Sequence, residues 1–199
     1  MTPLPPRPRR LAALLAIPPI ASLGALGPQN SLAAAPLRVD REATEVAATV
    51  SATLHQFEAV VRDYQAAVEI DPDTGSPTSA RFAFEPEQLD TGKPRRDREM
   101  LEWLGGEEAP AIVFELAEVR SDGELAWVAL GHLSLNGVRE VVRLPFSLRR
   151  EGREIRIEGA YLLDHRRWNL PVIRKFLLKV DPELEVRYSL QGTLPPPSP

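Results

Sequence analysis

Few residues in this chain combine the type and the spacing that covalent chemistry requires. The three histidines, His55, His132 and His165, lie far apart in sequence and there is no cysteine, so no zinc pattern can be read and no metal is expected. There is no Gly-x-Ser-x-Gly turn, no glycine-rich phosphate loop and no His-Glu-x-x-His helix. His55 and Glu115 are the side chains left for acid-base work of the isomerase or cyclase kind. The expectation is a protein without an enzyme's machinery and without a resident cofactor.

Arginine supplies a second kind of chemistry. Arg95, Arg96 and Arg98 form one group, and Arg166 and Arg167 another. A guanidinium fork matches phosphate geometry. If the two loops meet, Arg96, Arg98, Arg166 and Arg167 make a basic rim for a polar head group. The competing reading pairs them with Asp90, Glu99 and Glu102 as solvated charges.

The elements that would position these residues are strands. Alternation of apolar and polar side chains predicts strands at 45–54, 58–70, 79–84, 112–119, 124–135, 138–148, 154–163 and 184–194. Turn chemistry separates them, above all Asn136-Gly137, where both residues reach positive φ cheaply. One face of each strand is apolar, as in Val46, Ala48, Val50 and Ala52, or Val142, Leu144, Phe146 and Leu148. An all-β architecture follows: an antiparallel barrel of eight strands with one or two short helices.

Small residues are interleaved with bulky ones on that inner face, among them Ala48, Ala129, Gly131 and Gly159. Small side chains leave room, and a barrel of this size is either just filled or just able to hold a ligand. The expected lining is Phe57, Phe82, Phe84, Phe114, Trp127, Ala129, Phe146, Gly159 and Tyr161. The same small positions could instead mark bulges, bends or a plugging helix.

Two helices are expected between strands. Asp97 reads as the N-cap of a short helix over 98–104, stopped by Gly105-Gly106. Its Met100, Trp103 and Leu104 would cover one open end as a lid. A second, amphipathic helix is expected from Pro171, with Ile173, Phe176, Leu177 and Val180 on one side and Arg174, Lys175 and Lys179 on the other.

Residues 1–34 have the layout of a secretory signal: Arg7, Arg9 and Arg10, then an apolar run from Leu11 to Leu26, then small residues before Pro36. The expected mature domain spans 35–194, followed by a proline-rich disordered tail at 195–199. Without the three signal arginines the balance becomes 21 basic against 28 acidic residues, a formal charge of −7. Such a charge disfavours nucleic acid as a partner. Export without cysteine means stability must come from packing rather than disulfides.

With these pieces in order, the chain resembles the YceI-like family of secreted proteins. The resemblance rests on Thr53-Leu54-His55-Gln56-Phe57, Leu89-Asp90-Thr91-Gly92, Arg96-Asp97-Arg98-Glu99-Met100-Leu101, Pro110 to Glu115, Gly131 to Val138, and Leu163-Asp164-His165-Arg166-Arg167-Trp168-Asn169-Leu170. It implies an extended lipocalin-like barrel, periplasmic or secreted, whose apolar interior binds or carries an isoprenoid or quinone-like amphiphilic lipid without catalysis. Two other readings stay open: an interaction module whose filled barrel docks a membrane protein, and an isomerase or cyclase acting on a bound lipid. Transient contact with a membrane or a membrane protein fits the first two. No oligomeric state is fixed, a homodimer included.

Overall fold

The structure is a computed structural model that describes residues 34–53, 55–121, 126–175 and 178–196. The expected signal segment therefore lies outside the described residues, save Ala34. The strands are β1 (Ala35–Pro36), β2 (Arg38–Val39), β3 (Glu45–Ala52), β4 (His55–Val61), β5 (Gln65–Ile70), β6 (Pro77–Phe84), β7 (Leu89–Asp90), β8 (Ile112–Ser121), β9 (Trp127–Leu135), β10 (Val138–Glu151), β11 (Glu154–Asp164), β12 (Arg174–Lys175), β13 (Leu178–Lys179) and β14 (Glu183–Thr193). Among the described residues, one helix, α1 (Pro94–Leu104), and three short 3-10 segments accompany these strands.

Twelve strands make one strongly curled antiparallel sheet in the order β1-β5-β6-β8-β9-β10-β11-β14-β3-β4-β7, with β2 paired to β14. The expected count of eight is corrected: 58–70 is two strands rather than one, and the two-residue strands β1, β2 and β7 add three more. Asp63 and Tyr64 interrupt the run: the Tyr64 backbone N–H donates to Asp63 Oδ1 (2.8 Å), and Arg62 N–H donates to Gln88 O (2.8 Å) outside any strand ladder. β4 lies near one end of the strand order and β5 near the other, yet only residues 62–64 join them. Four residue steps span at most roughly 14 Å, so the sheet must curl until its two ends nearly meet. The seam is held by side chains. Tyr64 is buried, stacks on Phe82 with ring centroids 4.7 Å apart, and carries the Arg41 guanidinium over its ring at 4.8 Å.

The hairpin at Asn136-Gly137 forms as its residues dictate, with φ of 50° and 71°. Inward-facing side chains alternate as expected along β3, β9, β10 and β14. In β8 the register against β9 shifts between Leu116 and Glu118. The extra residue changes parity, so Val119 joins Leu116 on the cavity wall.

Two helical expectations are corrected. α1 starts four residues earlier than expected, with Pro94 in the first turn after Lys93. Asp97 is not its cap: Oδ1 accepts from the Thr91 N–H (2.9 Å) and Thr91 Oγ1 (2.6 Å), tying the helix to the preceding loop. The segment after Pro171 is not a helix. β12 and β13 pair as a small hairpin, Val180 N–H donates to Ile173 O (3.1 Å), and Val180 bridges to Ala52 of β3. Its flanking Val172, Ile173 and Val180 are β-branched and lose rotamer freedom in a helix, while sheet partners were available. Phe176 and Leu177 lie outside the described residues, as do the last residues of the expected tail. Pro195 and Pro196 are exposed and outside any strand.

Candidate functional site

The curled sheet surrounds a partly open apolar cavity of about 290 Å³. Its two ends are built differently. At one end, residues 35–39 form a strap: β1 pairs with β5, β2 pairs with β14, and Leu37 lies buried between them. Leu37 packs with Val68, Ile70, Ile155 and Leu194 in a core cluster, with Ile70 and Ile155 fully buried. At the other end, α1 and the 165–168 turn cover the interior. Leu104, Leu135, Val142, Leu163, Trp168 and Leu170 form the second core cluster there.

The covered end is fixed by indole and amide hydrogen bonds. Trp168, fully buried, donates from Nε1 to Leu133 O (2.9 Å). Trp103 donates from Nε1 to Pro171 O (2.9 Å), joining α1 to the segment that leads into the β12-β13 hairpin. The hairpin-tip residue Asn136 donates from Nδ2 to Trp168 O (3.0 Å). Asn169 takes the left-handed conformation (φ 58°) that turns the chain back towards Leu170.

Six of the nine expected lining residues are on the cavity wall: Phe82, Phe84, Phe114, Ala129, Phe146 and Tyr161. Met100, Trp103 and Leu104 of α1 are on it as well. Phe57, Trp127 and Gly159 are not, and each has a physical reason. Phe57 is half-buried at the start of β4 beneath the Arg96 guanidinium, 4.1 Å from its ring centroid. Trp127 stacks on Phe146, ring centroids 6.4 Å apart, so Phe146 rather than the indole forms the wall. Gly159 leaves no empty space. A Cβ there would stand 2.3 Å from Pro145 O and 2.5 Å from the Tyr188 hydroxyl. Tyr188 crosses this glycine to donate its hydroxyl to Pro145 O (2.6 Å), and burial pushes its phenol well above the ordinary value. Gly131 is similar: its missing Cβ is the room taken by the Phe114 ring, 2.5 Å away. The cavity's small wall residues include the alanines Ala48, Ala59, Ala80 and Ala129 and no glycine.

The arginines do not assemble into the expected rim. Arg166 forks onto Asp164 (2.8 and 2.7 Å), and that contact lowers the Asp164 pKa to about 2. Arg167 pairs with Glu140 (2.8 Å), donates to Val141 O (3.0 Å) and lies over the Trp168 ring. Arg96 is taken up by Phe57, and Arg98 is exposed on α1. The partners of the 166–167 pair are carboxylates of the sheet rather than an arginine-lined opening.

His165 is the wall residue that periodicity could not reveal. It follows the last residue of β11, is fully buried and faces Trp103 edge to face, ring centroids 5.0 Å apart. Nδ1 is 3.1 Å from Leu170 O. A carbonyl can only accept, so Nδ1 carries the proton and Nε2 holds a lone pair. Nε2 has no hydrogen-bond partner, alone among the buried side-chain polar atoms of the described residues. Leaving such an atom unmet costs about 1–3 kcal/mol. Burial pushes the imidazole pKa below its usual value, against the opposing effects of the Leu170 hydrogen bond and the Asp164 charge, so the ring is neutral. His55 is exposed beside Phe57, and His132 is half-buried opposite Glu115 on β8. Among the described residues no three histidine or acidic side chains come together as a metal site.

Fold and interior together define an all-β protein in which a curled antiparallel sheet surrounds an apolar cavity under a helical cover. The chain belongs to the YceI-like domain family, whose profile matches residues 37–192. Its structure is similar to that of BcnA from Burkholderia cenocepacia, with a TM-score of 0.69 at 18% identity over 78% of this chain and 99% of that one. It is also similar to a polyisoprenoid binding domain from Saccharophagus degradans implicated in plant cell wall breakdown, with a TM-score of 0.60 at 14% identity over 81% and 99% of the two chains. A YceI protein of Campylobacter jejuni aligns with a TM-score of 0.55 at 14% identity, over 68% and 85%. At these identities the likeness carries the fold. No curated protein matches the sequence.

Proposed function

We propose that this protein binds an amphiphilic lipid, isoprenoid or quinone-like, with the chain inside the barrel, and carries it without catalysing a reaction. The supporting observation is the apolar cavity, walled by phenylalanine, leucine, valine and alanine from strands all round the sheet. A hydrocarbon chain needs such a wall and few directional contacts, since burial contributes roughly 25 cal/mol per Å² of apolar surface. Membership of the YceI-like family supports lipid binding, as does the polyisoprenoid binding domain among its structural relatives. On this reading residues 1–34 direct export to the periplasm or beyond, and 35–194 form the carrier.

The test is native mass spectrometry of the exported protein, then solvent extraction and identification of what is released. A stoichiometric apolar adduct is expected. An empty protein that gains no thermal stability from isoprenoids, quinones or fatty acids would overturn the carrier reading in favour of the docking module.

A further inference from the structure

We propose that the barrel is loaded through its side wall: a split between β10 and β11 is the doorway for the lipid's apolar chain, and Arg167 is the clasp that holds it shut. The inference rests on the carrier reading above and adds the route and its control.

β10 and β11 pair from Glu151 opposite Glu154 only as far as Phe146 opposite Gly159. Both strands run on. β10 stays paired with β9 back to Val138, and β11 stays paired with β14 out to Asp164, yet over that half of their length no pairing joins them to each other among the described residues. The cause is local. Proline has no N–H to give, so Pro145, which would face Ala160 if the register continued, removes a rung. Its carbonyl is taken instead by the Tyr188 hydroxyl (2.6 Å), which reaches it across Gly159.

Side chains span what the backbone leaves open. On the β11 side Arg167 donates to the Tyr161 hydroxyl (3.4 Å); on the β10 side it donates to Glu140 Oε2 (2.8 Å) and to Val141 O (3.0 Å). Its guanidinium lies over the Trp168 ring, and Trp168 packs with Val142 and Leu163 in one core cluster. Val142 and Leu144 on one strand, and Tyr161 and Leu163 on the other, belong to the cavity wall, so parting the split opens into the cavity.

Two properties suit this place to passage. Opening a laddered stretch of the wall breaks backbone hydrogen bonds, whereas opening the split breaks side-chain contacts led by an exposed ion pair, which contributes little to holding it shut. The lips are also apolar: Val141 is 57% exposed and Leu162 63%, one on each strand. A hydrocarbon chain crossing them stays on apolar surface. The seam between the two ends of the sheet is bridged instead by the Tyr64 and Phe82 stack and by β7 paired on β4.

The experiment follows retinol, a fluorescent isoprenoid, entering the delipidated protein and leaving it for phosphatidylcholine vesicles. Arg167→Met keeps an apolar stem and loses every donor. It should raise both rates roughly three- to tenfold, the factor that an exposed ion pair with a further hydrogen bond can supply, and leave Kd unchanged. A residue that held the lipid itself would change Kd through the exit rate. The chain has no cysteine, so Arg143→Cys with Leu162→Cys, opposite each other in the continued register, can be joined cleanly by a bis-maleimide. That staple should nearly stop entry into the empty protein and exit from the loaded one. Ser147→Cys with Glu158→Cys, partners in the laddered half of the same two strands, joined in the same way, should exchange retinol like the wild type. Free exchange with the staple across the split would overturn the doorway, move the route to the seam and leave the carrier reading standing. Unchanged rates in Arg167→Met would overturn the clasp. A wild type that takes up no retinol would overturn the doorway and the carrier reading together. Should Arg167→Met not fold, the two stapled pairs decide.

Discussion

The two ends of the barrel close by opposite means. The strap end is sealed by aliphatic residues from five places in the chain, Leu37, Val68, Ile70, Ile155 and Leu194, in contacts that need no direction. The covered end is sealed by Trp103, His165 and Trp168, each placed by a hydrogen bond to a backbone carbonyl. An aliphatic plug is indifferent to what lies beyond it. A cover made of amphipathic rings has a polar side that must be satisfied, and at His165 one atom is not. The difference separates an end closed by packing alone from an end closed by oriented hydrogen bonds.

The largest expected effects compare the ends directly. Trp168→Ala should cost about 3–5 kcal/mol, since it empties a fully buried site and frees Leu133 O. Ile155→Ala should cost about 2–5 kcal/mol for the cavity alone. Denaturant titration of both gives the values. If the ends differ as described, only Trp168→Ala should also change the environment of Trp103, read by its fluorescence.

Gly159→Ala should come next, at about 1–3 kcal/mol of overpacking, because the new Cβ collides with Tyr188 and Pro145 O. A neutral Gly159→Ala in urea denaturation would show that Tyr188 moves freely. Ala129→Phe, on the cavity wall, should instead reduce lipid loading measured after extraction in a protein that still folds.

A smaller effect is pH dependence confined to the covered end. His165 has a folded pKa below its ordinary 6.5, so the unfolded chain binds the extra proton between those two values. Its contribution is complete above about pH 6.5 and is lost as pH falls below it. Asp164 adds a second loss as pH falls from 3.8 towards about 2. The melting temperature should drop between pH 7.5 and 5.5, and less steeply in His165→Gln. An equal slope in that variant would assign the loss elsewhere. The smallest change is Asn136→Gly, about 1 kcal/mol, because glycine keeps the positive φ and loses only the hydrogen bond that ties the hairpin tip to Trp168 O.

Alternation along β3, β9, β10, β11 and β14 was readable because a half-buried strand has a period of two, and nearest-neighbour hairpins keep that period in register. Most of the wall aromatics follow from it, as does the Asn136-Gly137 turn. The break at Asp63-Tyr64 was not readable, since apolar residues continue on both sides and only the curl of the sheet sends β4 and β5 to opposite ends. The helical spacing after Pro171 was a genuine local pattern overridden by a pairing partner on β3. Gly159 read as space because sequence records a missing side chain and not the neighbour that fills it; Tyr188 lies 29 positions away. What the amino-acid sequence determined was the all-β class and the apolar inner face. Tertiary structure alone decided which end carries the unpaired His165, because burial and the loss of a hydrogen-bond partner arise only when α1, the 165–170 turn and the sheet come together.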